Sequence, residues 1–260
     1  MKIFAVANQS GGAGKSSLAY HVGHAAIEDG QDVLLVDLDP RGSLSVSHSP
    51  VAGSEPGLTA SMLFSADPVE MEPEKLSDHL YIIRSDKILR QLGGNVAGAE
   101  KRVAVNLRRF ADRFDLCVID TPGAIGFNPP MTVAALIAAD AVLCPFSVGL
   151  FEGHSLSELW SYLKSIKTPA YNPNLRLMGL LPSRINTRSP DEVAALAALR
   201  AQLGAVILPF QLSERAAVKK SIMNRRPVWR NTKGAGHLAA AKEWRAVCKQ
   251  ILTNLQGVSK

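Results

Sequence analysis

A glycine-rich stretch near the start of the sequence has the composition of a phosphate-binding loop. Residues 8–17 read NQSGGAGKSS and lie between a short apolar run and a helical pattern. Glycines let backbone N–H groups crowd around phosphate oxygens, and the start of a helix adds a favourable dipole. In such a loop the Lys15 ammonium would contact the terminal phosphates and the Ser16 hydroxyl would bind Mg²⁺. The stretch predicts a nucleotide site, although Gln9 replaces the first glycine of the usual spacing and a plain glycine turn is the alternative.

Carboxylates follow two further apolar runs. Asp37 and Asp39 stand two residues apart in VDLDPRG, and Asp120 ends the run in VIDTPG. The carboxyl ends of parallel strands form the ligand-binding edge of an α/β sheet, so we expect these side chains near the glycine loop. A carboxylate in this position lies beside Mg²⁺ in phosphate-loop nucleotidases. For the Asp-Pro pair a capped turn is the alternative.

The elements that must position these residues alternate along the chain. Apolar runs predict strands at 2–8, 32–38, 80–84, 116–120, 141–146, 177–182 and 205–210. Most of these runs are apolar on successive residues, which is typical of parallel strands buried on both faces. Helical patterns cover 16–29, 100–113, 152–166 and 190–203. This order predicts an α/β fold with one doubly wound, mostly parallel sheet and helices on both faces.

Length and composition fit a single domain over residues 1–260, of which 47% are hydrophobic. The sequence begins directly at the first strand, so neither a signal peptide nor an N-terminal DNA-reading extension is expected. No apolar run reaches the roughly 18 to 20 residues that cross a bilayer. The cysteines Cys117, Cys144 and Cys248 are odd in number and far apart, which favours buried thiols in a reducing cytoplasm over disulfides.

Positive charge is concentrated late in the chain. The net charge is +6, yet residues 214–249 hold ten Lys or Arg against two Glu, which gives that segment +8 and the remainder −2. Such asymmetry favours a surface that binds a polyanion, with a solvated charged face as the alternative. Two basic pairs lie six residues apart on a helical pattern and its exit, and we expect them to bind DNA. They are Lys219, Lys220, Arg225 and Arg226.

The motifs together resemble those of one ATPase family. The stretches GGAGKS, DLDPR and DTPG are similar to the KGGxGK[ST], DxDPQ and D[TS]P motifs of the ParA/MinD family of deviant Walker-box ATPases. AADAVLCPFSV at 138–148 and the basic stretch at 213–229 are similar to later family segments, so the likeness spans nearly the whole chain. The resemblance implies a phosphate-loop fold, ATP and Mg²⁺ as cofactors, and an ATP-dependent homodimer.

The resemblance also implies a role for each matching position. Lys15 would act on the phosphates and Asp39 would position the attacking water, which makes these two the catalytic residues. Ser16 and Asp120 would bind Mg²⁺, and Asp37 would support the same metal shell. The implied nucleotide-binding residues are Gly11, Gly12, Ala13, Gly14, Lys15, Ser16, Ser17, Arg184, Asn186, Pro209 and Phe210.

Two positions depart from the family pattern. Ser10 stands where the family has its signature lysine, and Arg41 stands where it usually has glutamine. In the family that lysine reaches the partner subunit's nucleotide, and a serine cannot supply a cation. The resemblance therefore implies either a substitute, which would be Arg41 or a basic residue from the later half of the chain, or weaker dimerisation and hydrolysis.

The resemblance favours an ATPase of the ParA type as the function. In that reading an ATP-bound dimer coats DNA non-specifically near the nucleoid, and a cargo-bound ParB-like or adaptor partner triggers slow hydrolysis. Residues 48–78 are Pro-rich and irregular, and we expect a mobile, partner-facing surface there. No membrane partner is expected.

Other readings remain open from the sequence. A MinD-like ATPase would use a membrane, and an apolar stripe near the end of the chain offers either a membrane face or a helix docked on the core. An ATP-binding switch with little hydrolysis is a second reading. A metabolic or iron–sulphur enzyme would need cysteines in loops beside the phosphate site, whereas Cys117 and Cys144 lie in strand-like runs.

Overall fold

The computed structural model describes residues 1–52, 56–92, 98–126, 129–149 and 152–257. Within them, seven strands form a single sheet in the order β3-β4-β2-β5-β1-β6-β7. All neighbouring strands are parallel except β3 and β4, which are antiparallel. The strands are β1 (Lys2–Val6), β2 (Val33–Asp37), β3 (Glu74–Ser77), β4 (Leu80–Ile83), β5 (Leu116–Asp120), β6 (Ala141–Phe146) and β7 (Arg176–Pro182).

Helices cover both faces of the sheet. They are α1 (Lys15–Glu28), α2 (Ser43–Val46), α3 (Ala99–Arg108), α4 (Met131–Ala138), α5 (Glu152–Ile166), α6 (Pro190–Leu203), α7 (Ala216–Met223) and α8 (Ala235–Gln256). Short 3₁₀ turns lie at Ala60–Phe64, Lys87–Gln91 and Gly204–Val206. At the start of α6 the Ser189 side chain accepts a hydrogen bond from Glu192 N (3.3 Å) and so caps the helix. The predicted fold class is confirmed.

Two hydrophobic cores flank the sheet, and successive strand residues point into different cores. In β1, Ile3 and Ala5 belong to the core under α3 to α6, whereas Phe4 and Val6 belong to the core under α1, α7 and α8. This division explains why the strand runs are apolar at every position, because neither strand face meets water. The three cysteines are free and buried, as predicted.

The apolar stripe of the terminal helix α8 packs against the core of the protein. Trp244, Val247, Cys248, Ile251, Leu252 and Leu255 are buried in the core beneath α8. The hypothesis of a helix docked on the core is therefore confirmed over that of a free membrane face. Within the part of the chain that the structure describes, no helix combines the length and apolar character needed to cross a bilayer.

The strand predicted at 205–210 is wrong. Residues 204–206 form a 3₁₀ turn, and only an isolated parallel bridge joins Ile207 to Leu180 of β7. Pro209 has no N–H to donate to a ladder, so regular pairing cannot continue past it. The turn packs closely on β7 at Gly179 (φ 122°), where a Cβ would lie 2.9 Å from the Val206 carbonyl oxygen.

The expectation of an irregular, mobile segment at 48–78 is wrong for two parts of that segment. Leu58, Leu63 and Phe64 are buried in the core, and residues 74–77 form the edge strand β3. The Arg84 side chain binds the Glu74 carboxylate through Nε (2.6 Å) and Nη2 (2.8 Å), which fixes β3 to β4. Residues 53–55 of this segment lie outside the described residues.

Candidate functional site

The glycine loop connects the end of β1 to the start of α1. Gly12 (φ 79°) and Gly14 (φ 91°) have left-handed backbone conformations that side chains disfavour. A Cβ on Gly14 would also lie 3.0 Å from the Ser183 hydroxyl at the end of β7. Since β1 lies between β5 and β6, the loop sits where the strand order reverses, and this is where ligands bind in open α/β sheets.

Lys15 is a buried cation at the base of the loop. Its ammonium donates to the Ser10 carbonyl oxygen at 2.8 Å, inside the loop itself. Burial lowers the pKa of Lys15, while the nearby Asp120 and Asp39 carboxylates oppose that shift. The structure thus brings the predicted phosphate lysine to the same place as two of the predicted carboxylates.

Asp120 ends β5 as a buried carboxylate. Neither of its oxygens meets a hydrogen-bond donor with good geometry among the described residues, and the side chain is fully buried. Burial, followed by the charge of Asp37, raises the pKa of Asp120 well above its usual range, and the nearby Ser16 hydroxyl opposes this only in part. A buried carboxylate of this kind next to a hydroxyl fits a bound divalent cation.

The protein supplies few ligands for such a cation. Within the described residues, no group of three His, Cys, Asp or Glu side chains could hold a metal ion on its own. Ser16 and Asp120 would therefore need oxygens from phosphate and water to complete the shell. Mg²⁺ is commonly bound in this way, by one or two protein oxygens together with substrate phosphates.

Replacing Asp120 by asparagine is expected to raise the thermal stability of the metal-free protein at pH 8. Because its folded pKa is raised, ionisation of Asp120 costs stability as the pH rises, and the amide removes that cost. A gain of a few degrees corresponds to roughly 1–2 kcal/mol. Thermal unfolding at pH 4 and pH 8 measures it, and the gain should shrink at pH 4. The exposed control Asp67→Asn should show no such pH dependence, and an equal gain at both pH values would contradict the explanation.

Asp37 is fully engaged by its own turn. Its Oδ2 accepts from the Ser45 N–H and hydroxyl, both at 2.7 Å, and its Oδ1 accepts from Asp39 N at 3.1 Å. Burial raises the pKa of Asp37 to about 6. Asp37 also lies opposite Asp120 in the β2–β5 register. These bonds tie the end of β2 to α2, so the geometry favours an organising role behind the metal site over direct ligation.

Asp39 forms an ion pair with Arg41. The guanidinium contacts the Asp39 carboxylate through Nη2 (3.0 Å) and Nε (3.2 and 3.3 Å), and the Arg41 N–H donates to the same group. The Asp39 side chain is 5% exposed and that of Arg41 59% exposed. Asp39 therefore lies inside the site, while Arg41 covers it from the solvent side.

A cavity of about 340 Å³ opens beside the loop. Arg184 (φ 58°) lines it, and its guanidinium donates to the Gly12 carbonyl oxygen and to Glu214, both at 2.7 Å. Asn186 lines a neighbouring cavity instead, and neither Pro209 nor Phe210 is among the described residues that form the wall. Of the implied base contacts, the structure thus places only Arg184 at this cavity.

Several wall residues of this cavity were missed from the sequence. Those not predicted as site residues are Ser43, Ser183, Ser213, Glu214, Arg215, Val218 and Trp244. Ser183 follows a predicted strand, so the rule that ligands bind at strand ends could have found it. Trp244 comes from the interior of α8, and no local pattern distinguishes it from a core residue.

Comparisons with known proteins identify the family. A family model described as an AAA domain matches residues 1–177. The chain belongs to this family. It is similar to Protein IncC of Escherichia coli, with 27% identity over 260 residues, 98% of the chain and 70% of IncC. It is also similar to the chromosome-partitioning ATPase Soj of Thermus thermophilus, with 28% identity over 233 residues, 86% of the chain and 88% of Soj.

The fold of this AAA domain protein is similar to that of a solved structure. That structure is cobyrinic acid a,c-diamide synthase from Mycobacterium smegmatis with bound ADP and magnesium, and the TM-score is 0.77 at 22% identity. The match covers 98% of this chain and 95% of the synthase. The phosphate-loop fold is confirmed, and the relatives confirm the resemblance to the ParA/MinD type.

A second cavity of the AAA domain protein, of about 570 Å³, is rich in basic residues. Its basic wall residues are Arg188, Arg215, Lys220, Arg226 and Lys233, and the start of α8 completes it. The Nε atoms of Arg215 and Arg226 are buried without a hydrogen-bond partner among the described residues. Five basic residues thus share the described wall of this cavity with one carboxylate, that of Glu214.

The four predicted DNA-binding residues do not all line the same cavity. Lys220 and Arg226 line the basic cavity, whereas Lys219 lines the cavity beside the loop, with its Nζ 3.7 Å from Glu214. Arg225 is exposed at a left-handed backbone position (φ 51°) where the chain leaves α7. Ser213, Glu214 and Arg215 line both cavities, so these are neighbours with a common wall.

Proposed function

We propose that this protein is a partition-type ATPase that binds ATP with Mg²⁺ at the glycine loop and hydrolyses it. The observation that carries the proposal is the convergence of Lys15, Asp39 and the buried Asp120 beside the loop. The diamide synthase of similar fold holds ADP and magnesium, and the relative Soj is named as a chromosome-partitioning ATPase. Both names support the proposal.

The roles proposed for the residues follow from their positions. Lys15 and the loop backbone bind the phosphates, and Ser16 and Asp120 hold Mg²⁺, which neutralises phosphate charge when bound. Asp39 orients water towards the terminal phosphorus. The water oxygen bonds to that phosphorus while the bond between the phosphorus and the bridging oxygen breaks. The products are ADP, inorganic phosphate and a released proton. ATP hydrolysis by the protein alone is slow, and a partner protein raises its rate.

We propose further that the ATP-bound protein dimerises and binds DNA non-specifically through the basic cavity and its rim. Phosphate contacts from Lys and Arg supply affinity without reading sequence. Lys220 and Arg226 lie in the cavity wall and Arg225 at the exposed exit of α7. A cargo carrying a ParB-like or adaptor partner would then be positioned by cycles of ATP binding and hydrolysis.

Replacing Lys219, Lys220, Arg225 and Arg226 together by alanine is expected to weaken binding to random-sequence DNA by much more than it weakens ATP binding. The plot of log affinity against log salt should become shallower by roughly one unit per lost phosphate contact. Fluorescence anisotropy with labelled duplex DNA and a non-hydrolysable ATP analogue measures both.

The matched control removes the same charge from elsewhere on the surface. Lys87, Lys101, Lys164 and Lys167 are exposed lysines outside the two cavities. Their replacement by alanine should affect DNA binding much less. Equal losses in both quadruple variants would mean that net charge alone, and not this surface, attracts DNA.

One observation favours a second candidate function, an ATP-binding switch with little hydrolysis. The Asp39 carboxylate is engaged by Arg41 and must be freed before it can orient water. Phosphate release from the wild-type protein, measured with and without DNA, distinguishes the two functions. ATP binding without any phosphate release under either condition would favour the switch.

A further inference from the structure

The phosphate end of the site holds more buried acidic groups than buried basic ones. Asp37, Asp39 and Asp120 are all buried there, and among the described residues Lys15 is the only buried Lys or Arg. ATP would add several negative charges to this cluster, of which Mg²⁺ offsets two. A second positively charged group at the terminal phosphate would therefore favour both ATP binding and the charge that develops during hydrolysis.

Arg41 is placed to be that group. A Cβ built on Gly11 would lie 3.5 Å from Arg41 Nη1, so the guanidinium stands over the loop as well as beside Asp39. Gly11 in turn packs against Gly123, just after Asp120, where a Cβ would lie 2.9 Å from Gly11 N. The guanidinium thus lies at the side of the loop that faces Asp39 and Asp120.

The described wall of this cavity also holds Arg184, Arg215 and Lys219. Arg184 is fixed between the Gly12 carbonyl oxygen and Glu214, and Lys219 is paired with the same carboxylate. Arg41 differs because its partner is itself one of the proposed catalytic groups. Its side chain is mostly exposed, so rotation towards a ligand requires no repacking of the core.

We propose that Arg41 is a catalytic cation acting within its own subunit: on ATP binding its guanidinium moves from Asp39 to the terminal phosphate oxygens. The inference rests on the proposed ATPase function and deepens it. The move would place a planar, two-pronged donor on the phosphate, a geometry that arginine matches well. It would also release the Asp39 carboxylate to accept a hydrogen bond from the attacking water. Binding of the terminal phosphate would thus bring a cation to the phosphate and free the Asp39 carboxylate in one movement of Arg41.

The test compares Arg41→Ala and Arg41→Lys with the wild-type protein. We expect kcat to fall on the order of 100-fold in Arg41→Ala, as when one transition-state donor is removed. Arg41→Lys should lie in between, because a lysine keeps the charge without the fork. ADP with aluminium fluoride, which imitates the transferring phosphoryl group, should bind Arg41→Ala more weakly, while ADP alone binds as in the wild type.

The control is Arg90→Ala. Arg90 is exposed and its Nη2 contacts the Pro40 carbonyl oxygen (3.3 Å) in the same turn, without touching Asp39. Its replacement should change neither kcat nor binding of the fluoride complex. Unchanged or faster turnover in Arg41→Ala would overturn the inference, since Arg41 would then only restrain Asp39. A wild-type protein that binds no ATP would overturn the proposed ATPase function as well, so the two failures are distinguishable.

A second variant pair, at Ser10, tests the same assignment. Ser10 is exposed at the loop and carries no charge. If Arg41 already supplies the cation, Ser10→Lys alone should lower turnover, because two like charges would meet. In the Arg41→Ala background the same change should restore part of the lost turnover. A marked gain from Ser10→Lys in the wild-type background would overturn the assignment.

Discussion

Lys15→Ala is expected to abolish measurable ATP binding. The Lys15 ammonium is buried at the base of the loop and held at 2.8 Å from the Ser10 carbonyl oxygen, a bond that phosphate oxygens can replace. Charge-assisted hydrogen bonds are worth roughly 1.5–3 kcal/mol each. Losing two of them would weaken affinity on the order of 100-fold or more.

Isothermal titration calorimetry with ATP and Mg²⁺ measures the effect of Lys15→Ala. The control Lys2→Ala removes an exposed lysine from the start of β1, the strand that leads into the loop, and should bind ATP normally. Thermal unfolding without nucleotide checks that both variants fold. If Lys15→Ala bound ATP as tightly as the wild type, the glycine loop would have only a structural role.

Asp39→Ala is expected to bind ATP at least as tightly as the wild type and to lose turnover. The Asp39 side chain lies inside the site, but its partner in the free protein is Arg41 and not a backbone group of the loop. Removing the Asp39 carboxylate deletes the group proposed to orient water and leaves Arg41 free to bind phosphate. The ATP-bound dimer should therefore accumulate.

Two measurements check Asp39→Ala. Phosphate release under single-turnover conditions should fall to background, and size exclusion with ATP should show more dimer than the wild type does. Asp67→Ala, which removes an exposed carboxylate, should behave as the wild type. Normal phosphate release from Asp39→Ala would show that another group orients the water.

The parts of the fold that the sequence predicts are those determined locally. Glycines at 12 and 14 are required by the loop backbone, and apolar runs without alternation reflect strands with a core on each side. The missed elements lack a local signal. α4 reads MTVAALIA and is buried almost throughout, so it shows no polar face from which a helical period could be read.

The contacts that define the site were less predictable, because they join distant parts of the chain. The bond from Arg184 to Gly12 spans 172 residues, and nothing in either neighbourhood indicates it. The pair of Asp39 and Arg41 is local, yet the sequence alone could not decide whether Arg41 points to the carboxylate or away from it. The wall of a cavity depends on the direction in which each side chain points. The prediction of a strand from an apolar run does not.

The central position of β1 has a consequence for how the molecule folds. β1 comes first in the chain, but its neighbours β5 and β6 come much later, and Ile3 N finds its acceptor in Asp140 at a separation of 137 residues. Closing loops of this length has an entropic cost that precedes the gain from the contacts. We therefore expect slow folding, with the glycine loop supported late. During synthesis a ribosome must release residues through Phe146 before β1 can be flanked on both sides. Acquisition of nucleotide affinity would therefore mark the completion of the sheet in a nascent chain.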